Sequence, residues 1–360
     1  MKITIVGGGN IGTQFAVHCA SKMHDVTLYT SHPELFDGQL SIVDDTGVIT
    51  HQGKIRCATY KPEEAFFGAD LIIVTVPAMM MRSLAKLIFE HSNSKTIIGV
   101  VPGNGGSECA FRECIDRGNV FFGLERVAAI ARLIKRGSVV KSTRYREELH
   151  VAALPSSKAD FCANLISHFF DIRTTVIPNY LNLTMTPSNP ILHTARLYAM
   201  FSAWHKGIMY DSVPLFYEQW NNEASELLFA CDDEVQEICK KLPEFQLQHV
   251  KSLKEHYESP TIEKMTEKIS SIQSFHGILT PMVSLPTGGF VPDLHSRYFT
   301  SDFSFGLKII KQVGTFAGVS TPNIDMILNW YNSIAEEKDS FDFMDYGIDS
   351  LDALKQFYLR

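Results

Sequence analysis

No stretch of this 360-residue chain is apolar for long enough to cross a bilayer. The longest run, 71–81, is interrupted by Thr75 and Pro77. There is no CxxC pair either, although seven cysteines are present: Cys19, Cys57, Cys109, Cys114, Cys162, Cys231 and Cys239. An odd number of thiols without ligand spacing argues against a zinc site or a disulfide framework. It points to reduced, packed cysteines, so no metal and a cytoplasmic location are expected. A basic stripe is also missing, and the net charge is −7, which argues against a nucleic-acid partner. The opening residues Met1 to Val6 lack the apolar core and cleavage site of a signal peptide and read as a strand. No repeat or low-complexity segment is visible. What is there is ordinary globular composition, 45% hydrophobic and 20% charged. At this length two domains are expected, each able to bury a core without staples.

The first half alternates apolar strands with amphipathic helices. Strands are expected at 3–6, 25–30, 69–76, 96–101, 120–123, 149–154 and 174–177, and helices at 10–22, 84–91, 108–117 and 157–170. Two further polar-interrupted strands lie within 41–59, around a turn at Asp45-Thr46-Gly47. This alternation predicts an α/β, doubly wound parallel sheet. After Pro178 helical spacing takes over, at 190–206, 215–241, 245–257, 260–270, 303–317 and 321–337. The stretch 282–300 reads as an ordered loop. The expected division is therefore 1–178 and 179–360, with an all-α second domain.

Gly7-Gly8-Gly9-Asn10-Ile11-Gly12 fits GxGxxG, follows a strand and opens a helix, the context a dinucleotide site requires. Gly7 permits the tight turn, Gly9 lets a pyrophosphate approach the backbone, and Gly12 lets helix pack on strand. Asn10 and Ile11 complete the loop. At the end of the second strand, where a carboxylate would hold the 2′-hydroxyl of NAD, stand Thr30, Ser31 and His32. The absence of an acid there favours NADP slightly over NAD, although no Arg is present in that stretch. Pro77 and the run Pro102-Gly103-Asn104-Gly105-Gly106 close two further strands at their carboxyl ends, where ligands of open α/β sheets bind. Arg132, following the Gly123-Leu124-Glu125 strand end, is a candidate for the nicotinamide or substrate side.

In the second half Ser188-Asn189-Pro190 is a strong helix start, with Lys206-Gly207 as the matching stop. His193 falls in its first turn. On pattern alone His193 reads as an ordinary helix residue. Asp302 reads as a carboxylate complementing a helix dipole, and Arg297 as half of a surface ion pair.

Taken in order, the motifs resemble those of the opine dehydrogenases, the NAD/NADP octopine/nopaline dehydrogenase family. They run from the GxGNxG loop through Ala69-Asp70-Leu71-Ile72-Ile73-Val74, Val76-Pro77-Ala78 and Pro102-Gly103-x-Gly105-Gly106. They continue with Asn189-Pro190-x-x-His193, Gly277-x-x-x-Pro281, Arg297-Tyr298-Phe299-x-x-Asp302, Gly306-Leu307 and Thr321-Pro322-x-Ile324-Asp325. The resemblance implies a Rossmann domain followed by a helical domain of the 6-phosphogluconate dehydrogenase C-terminal type. It also implies NAD(P)H-dependent reduction of the imine formed between an amino acid and a 2-oxo acid. His193 and Asp302 would be the acid–base pair, and Arg297 the anchor of a substrate carboxylate. A His near its natural pKa can supply the proton that accompanies hydride, and an Arg fork grips a carboxylate in two bonds. The chain departs from the family in the missing acid after the second strand, and in Thr300-Ser301, where relatives often carry an acid before the Asp. Two other readings fit the architecture: a ketopantoate-type or other 2-oxo acid reductase, and a non-catalytic NADP-binding sensor. The first relies on a Lys where His193 stands. A homodimer is compatible with either, and no membrane partner is expected.

Overall fold

In a computed structural model that describes residues 1–186, 188–335 and 340–360, the chain forms two compact units. The first comprises Met1–Leu183 together with Lys355–Arg360, and the second Thr184–Leu354. The expected division at 178 thus moves five residues along, and residues 355–360 fall in the first unit instead of the second. All seven cysteines are free. Among the described residues no helix is long and apolar enough to cross a membrane.

Twelve strands build the first unit: β1 Lys2–Val6, β2 Asp25–Tyr29, β3 Gln39–Val43, β4 Ile49–Lys54, β5 Cys57–Thr59, β6 Leu71–Val74, β7 Ile97–Val100, β8 Phe121–Leu124, β9 Ala131–Lys135, β10 Val139–Ser142, β11 Glu148–Leu154 and β12 Arg173–Val176. Eight form one sheet in the order β12-β11-β8-β7-β6-β1-β2-β5. Every pairing is parallel except β8 with β11. The four residues of β6 are all buried, as an apolar strand in the middle of such a sheet must be. This is the Rossmann-type doubly wound sheet expected from the sequence.

A second sheet, in the order β4-β3-β10-β9, was not foreseen beyond its first two strands. It covers the helix Asn10–Ser21 from the far side. That helix packs on both sheets, which is why nine consecutive residues, Gly12 to Ala20, are buried and its sequence is only weakly amphipathic. Gly53 on β4 permits the approach, since a Cβ there would stand 2.6 Å from the Ala20 Cβ. Burial of Phe15 alone, at 0% exposure, contributes about 2–3 kcal/mol. Residues 355–360 join this unit through named contacts. The Tyr358 hydroxyl donates to the Glu108 carboxylate, and Asn179 Nδ2 donates to the Tyr358 carbonyl (2.9 Å).

The second unit is mostly helical, with long helices at Ser188–Phe201, Asn222–Lys241, Ile262–Ser271, Lys308–Phe316 and Pro322–Ile334. Several expected bounds shift. The first helix ends at Phe201 and not at Lys206. The second begins at Asn222, capped by the Asn221 side chain, which accepts from the Ala224 N–H (3.2 Å), so 215–221 is loop. The expected helix 245–257 breaks into two 3₁₀ turns and the short helix Leu253–His256, and residues 336–337 of the last one lie outside the described residues. The unit is also not purely helical: β13 Met282–Ser284 and β14 Phe290–Pro292 form a hairpin within the stretch read as loop.

Candidate active site

The glycine loop has the geometry its residues imply. Gly7 sits at φ +107°, and a Cβ on Gly12 would overlap the Gly7 carbonyl oxygen. Gly9 has open space where a Cβ would be, so an anion can approach its backbone at the head of the helix. A dinucleotide pyrophosphate fits this cradle. Ile11 is half-buried against the core, and the Asn10 side-chain oxygen is taken, accepting from Leu133 N–H on β9 at 2.8 Å. Asn10 therefore ties the loop to the second sheet.

Gly103 has a packing role. Its N–H donates to the Leu124 carbonyl (2.7 Å), its carbonyl accepts from the Tyr180 hydroxyl (2.9 Å), and a Cβ would meet the Gly123 Cα at 2.5 Å. Asn104 and Pro77 are exposed. Arg132 is exposed on β9, where its guanidinium donates to the Ala131 carbonyl (3.2 Å), one residue from the Asn10–Leu133 bond. It is a second-sheet residue rather than an extension of the β8 strand end.

Thr30 is buried at the end of β2, its hydroxyl accepting from the His32 N–H (3.3 Å), while Ser31 is exposed. The structure adds a cation to this corner. The β9–β10 turn packs onto the loop after β2 so closely that a Cβ on Gly137 would overlap the Leu35 carbonyl oxygen. The preceding residue is Arg136. The Glu34 carboxyl is held below its usual range, chiefly by its own backbone N–H and then by His32 and Arg136. The Arg absent from the local sequence thus arrives from a hairpin a hundred residues away.

In the second unit, His193 and Asp302 meet although 109 residues separate them. His193 Nδ1 donates to Asp302 Oδ2 at 2.7 Å, and the His193 residue is only 5% exposed. Their approach has a packing cause. Asp302 directly precedes a π-helical turn, Phe303–Leu307, and a Cβ on Gly306 in that turn would stand 2.7 Å from the Pro190 Cγ. Glycine there lets the turn lie on the first turn of the helix carrying His193. Arg297, on the short helix Arg297–Thr300, is exposed, with its guanidinium carbon 5.8 Å from the centre of the Tyr298 ring. That ring lies 4.5 Å from the imidazole of His193.

Two residues of this cluster were missed in the sequence. The Tyr217 hydroxyl shares a 2.7 Å hydrogen bond with His193 Nε2, and the Tyr217 ring stacks on Phe275 at 4.1 Å. Burial, and then Tyr298, push the Tyr217 phenol up, so it stays neutral. Arg196, one turn beyond His193, is buried and holds the loop that presents Tyr217. Its guanidinium donates to the Phe216 carbonyl (3.0 Å), the Gln219 carbonyl (2.7 Å) and Asn221 Oδ1 (3.3 Å). Burial lowers the Arg196 pKa to about 10. No local signal marks Tyr217. An Arg inside an apolar helix is the one hint for Arg196.

Comparison with known proteins bears on both units. Residues 176–335 match the family described as NAD/NADP octopine/nopaline dehydrogenase, alpha-helical domain, and residues 3–147 match ketopantoate reductase PanE/ApbA. An opine dehydrogenase of Haliotis discus hannai is 26% identical over 98% of this chain and 98% of its own. The chain thus resembles the opine dehydrogenases along nearly its whole length, and its helical unit matches their helical domain. A tauropine dehydrogenase of Arabella iricolor, another relative, is 23% identical over 91% of this chain and 90% of its own. A solved octopine dehydrogenase with NADH and L-arginine superposes with a TM-score of 0.84, at 22% identity, over 98% of this chain and 97% of that one. The relatives matched along most of the chain include proteins named tauropine, opine and octopine dehydrogenase.

Proposed function

We propose that this protein catalyses the reductive condensation of an amino acid with a 2-oxo acid, with His193 and Asp302 as its acid–base pair. The observation that carries the reading is the 2.7 Å bond from His193 Nδ1 to Asp302. A carboxylate in that place fixes the tautomer and supports an imidazolium that can release a proton from the other side of the ring. Arg297, exposed and next to the Tyr298 ring that covers His193, anchors the carboxylate of the 2-oxo acid.

The coenzyme is held by the backbone of Gly7 to Gly12 and the head of the helix Asn10–Ser21, with Pro77, Asn104 and Arg132 as further candidates for its nicotinamide side. When bound, it supplies hydride. NADP is the preferred form: no carboxylate stands at the end of β2, and Thr30, Ser31, His32 and Arg136 offer hydroxyls and positive charge to a 2′-phosphate. The free thiols accord with action in the cytoplasm.

The N-terminal match to ketopantoate reductases supports a second reading, reduction of a 2-oxo acid alone. The test is coenzyme oxidation over a grid of 2-oxo acids and amino acids, with NADPH and NADH. Activity that needs both organic partners, and is lost in His193→Asn, is the expected result. Turnover indifferent to the amine would establish the second reading.

A further inference from the structure

Both ring nitrogens of His193 are engaged, and this raises a question of access. Nδ1 is held by Asp302 and Nε2 by Tyr217, each at 2.7 Å, with 5% of the residue exposed. Asp302 takes the Nδ1 proton as a permanent acceptor, so any proton leaving the ring departs from Nε2. The atom it meets there is the hydroxyl oxygen of Tyr217, not a substrate atom.

Resting on the assignment of His193 as the acid, we propose that Tyr217 is the relay through which its proton reaches the imine nitrogen. The His193 Nε2–H bond breaks as a new Tyr217 O–H bond forms, and the proton originally on Tyr217 passes on. It is handed either directly to the nitrogen or through the hydroxyl of Tyr298. The imidazolium becomes neutral imidazole, the C=N carbon receives hydride, and the product is a secondary amine. Tyr217 begins and ends as a phenol.

Three features of the site suit this role. A hydroxyl can donate to the Nε2 lone pair or accept from Nε2–H, so it stays bonded to the ring in both protonation states. A buried phenol resists ionisation, so the two transfers occur together and no tyrosinate accumulates. The half-buried Tyr298, whose ring lies 4.5 Å from the imidazole and 5.8 Å from the exposed Arg297 guanidinium carbon, borders this buried pair. The stack of Tyr217 on Phe275, and the grip of Arg196 on the loop, keep the phenol from swinging aside.

Tyr217→Phe keeps the ring and its stack while removing the relay atom. The first readout needs no turnover. The ¹⁵N shift of His193 Nε2, followed by NMR across pH, should change in Y217F while coenzyme affinity stays at the wild-type value. In turnover, kcat should fall about 100-fold, at the lower end of the usual range for loss of a proton-transfer group. The dependence of kcat on the deuterium fraction of the solvent should be curved in the wild-type enzyme, reporting two protons in flight, and linear in Y217F. Tyr298→Phe serves as the second variant, and a smaller loss there with the curvature retained assigns direct handover from Tyr217. A Y217F kcat within twofold of wild type, or a rise, would overturn the relay, because His193 would then act directly once uncovered. Failure of the underlying assignment looks different: H193N would retain activity whatever Y217F did.

Discussion

The molecule contains two buried histidines built alike and surrounded differently. His18, in the last turn of the glycine-loop helix, is 2% exposed and bonds the Tyr145 hydroxyl through Nε2 at 2.7 Å. His193 is 5% exposed and bonds the Tyr217 hydroxyl through Nε2, also at 2.7 Å. What differs is the other side of the ring. His193 has the Asp302 carboxylate on Nδ1, whereas His18 faces the His51 ring at 4.5 Å and Lys22, which itself is paired with Asp171. Burial, reinforced by His51 and Lys22 against a weaker opposing effect of Asp171, lowers the His18 pKa to about 3. A buried His–Tyr pair is therefore a neutral packing element by default. At His193 the Asp302 carboxylate on the far nitrogen supplies the partner that the proposed acid–base role requires.

The comparison is broken or sharpened most strongly by removing each imidazole in turn. His193→Asn should cost about 10²–10⁴ in kcat. His18→Gln should leave turnover per folded molecule unchanged, and steady-state assays on both variants check this. If H18Q lost activity comparably, the distinction drawn from Asp302 would be wrong.

Next in size is the substrate side. Arg297→Met should raise the KM for the 2-oxo acid about 10- to 100-fold with a smaller effect on kcat, the cost of a charge-assisted pair. Equal losses in kcat and kcat/KM would instead mean that Arg297 acts only in the transition state.

Arg196→Met tests whether Tyr217 owes its place to the loop. It leaves the Phe216 and Gln219 carbonyls and Asn221 Oδ1 without their donor, so a stability loss of about 2–4 kcal/mol in urea is expected, with a fall in kcat. The glycine-loop pair should be untouched, so coenzyme affinity at saturating protein stability should hold.

The fourth effect belongs to His18 and is read in pH. Its ring stays neutral when folded but takes a proton near pH 6.5 when unfolded, so the unfolded state binds more protons between about pH 6.5 and 3. Stability should be full above 6.5 and fall as the pH drops through that window, by about 3 kcal/mol at pH 4.5. H18Q should flatten that slope in chemical denaturation. The smallest effect is at the coenzyme corner, where Thr30→Asp should shift preference toward NADH by about tenfold in kcat/KM, the acid favouring a 2′-hydroxyl and repelling a phosphate.

Much of this was legible in the sequence wherever a short segment carries its own geometry. Gly7, Gly9 and Gly12 announce a turn, an approach and a packing contact within six residues. Pro190 and Gly306 lie in motifs whose meaning proved to be mutual contact, and that contact is what brings His193 and Asp302 together. The second sheet was not legible. Its strands β9 and β10 are short and carry Arg132, Lys135 and Lys141, and their reason to exist is to cover a helix already accounted for. Gly103 was read as a ligand contact because glycine after a parallel strand serves either purpose, and only the Gly123 backbone beside it decides. Tyr217 was hidden for a related reason. Phe216 and Trp220 have helical spacing, and the loop they occupy exists because Arg196 binds its carbonyls from another element. Arg136 reached the end of β2 in the same non-local way.

The bond from Tyr358 to Glu108 has a consequence for the order of events in synthesis. Residues 355–360 belong to the same compact body as residues 1–183, so a ribosome must translate all of 184–354 before that body can close. The nucleotide-binding half emerges early yet is completed late. A nascent chain stalled before residue 355 would leave the buried Glu108 carboxylate without the Tyr358 hydroxyl, and a bulky fusion placed directly after Tyr358 would strain the half of the protein that lies farthest from it in sequence.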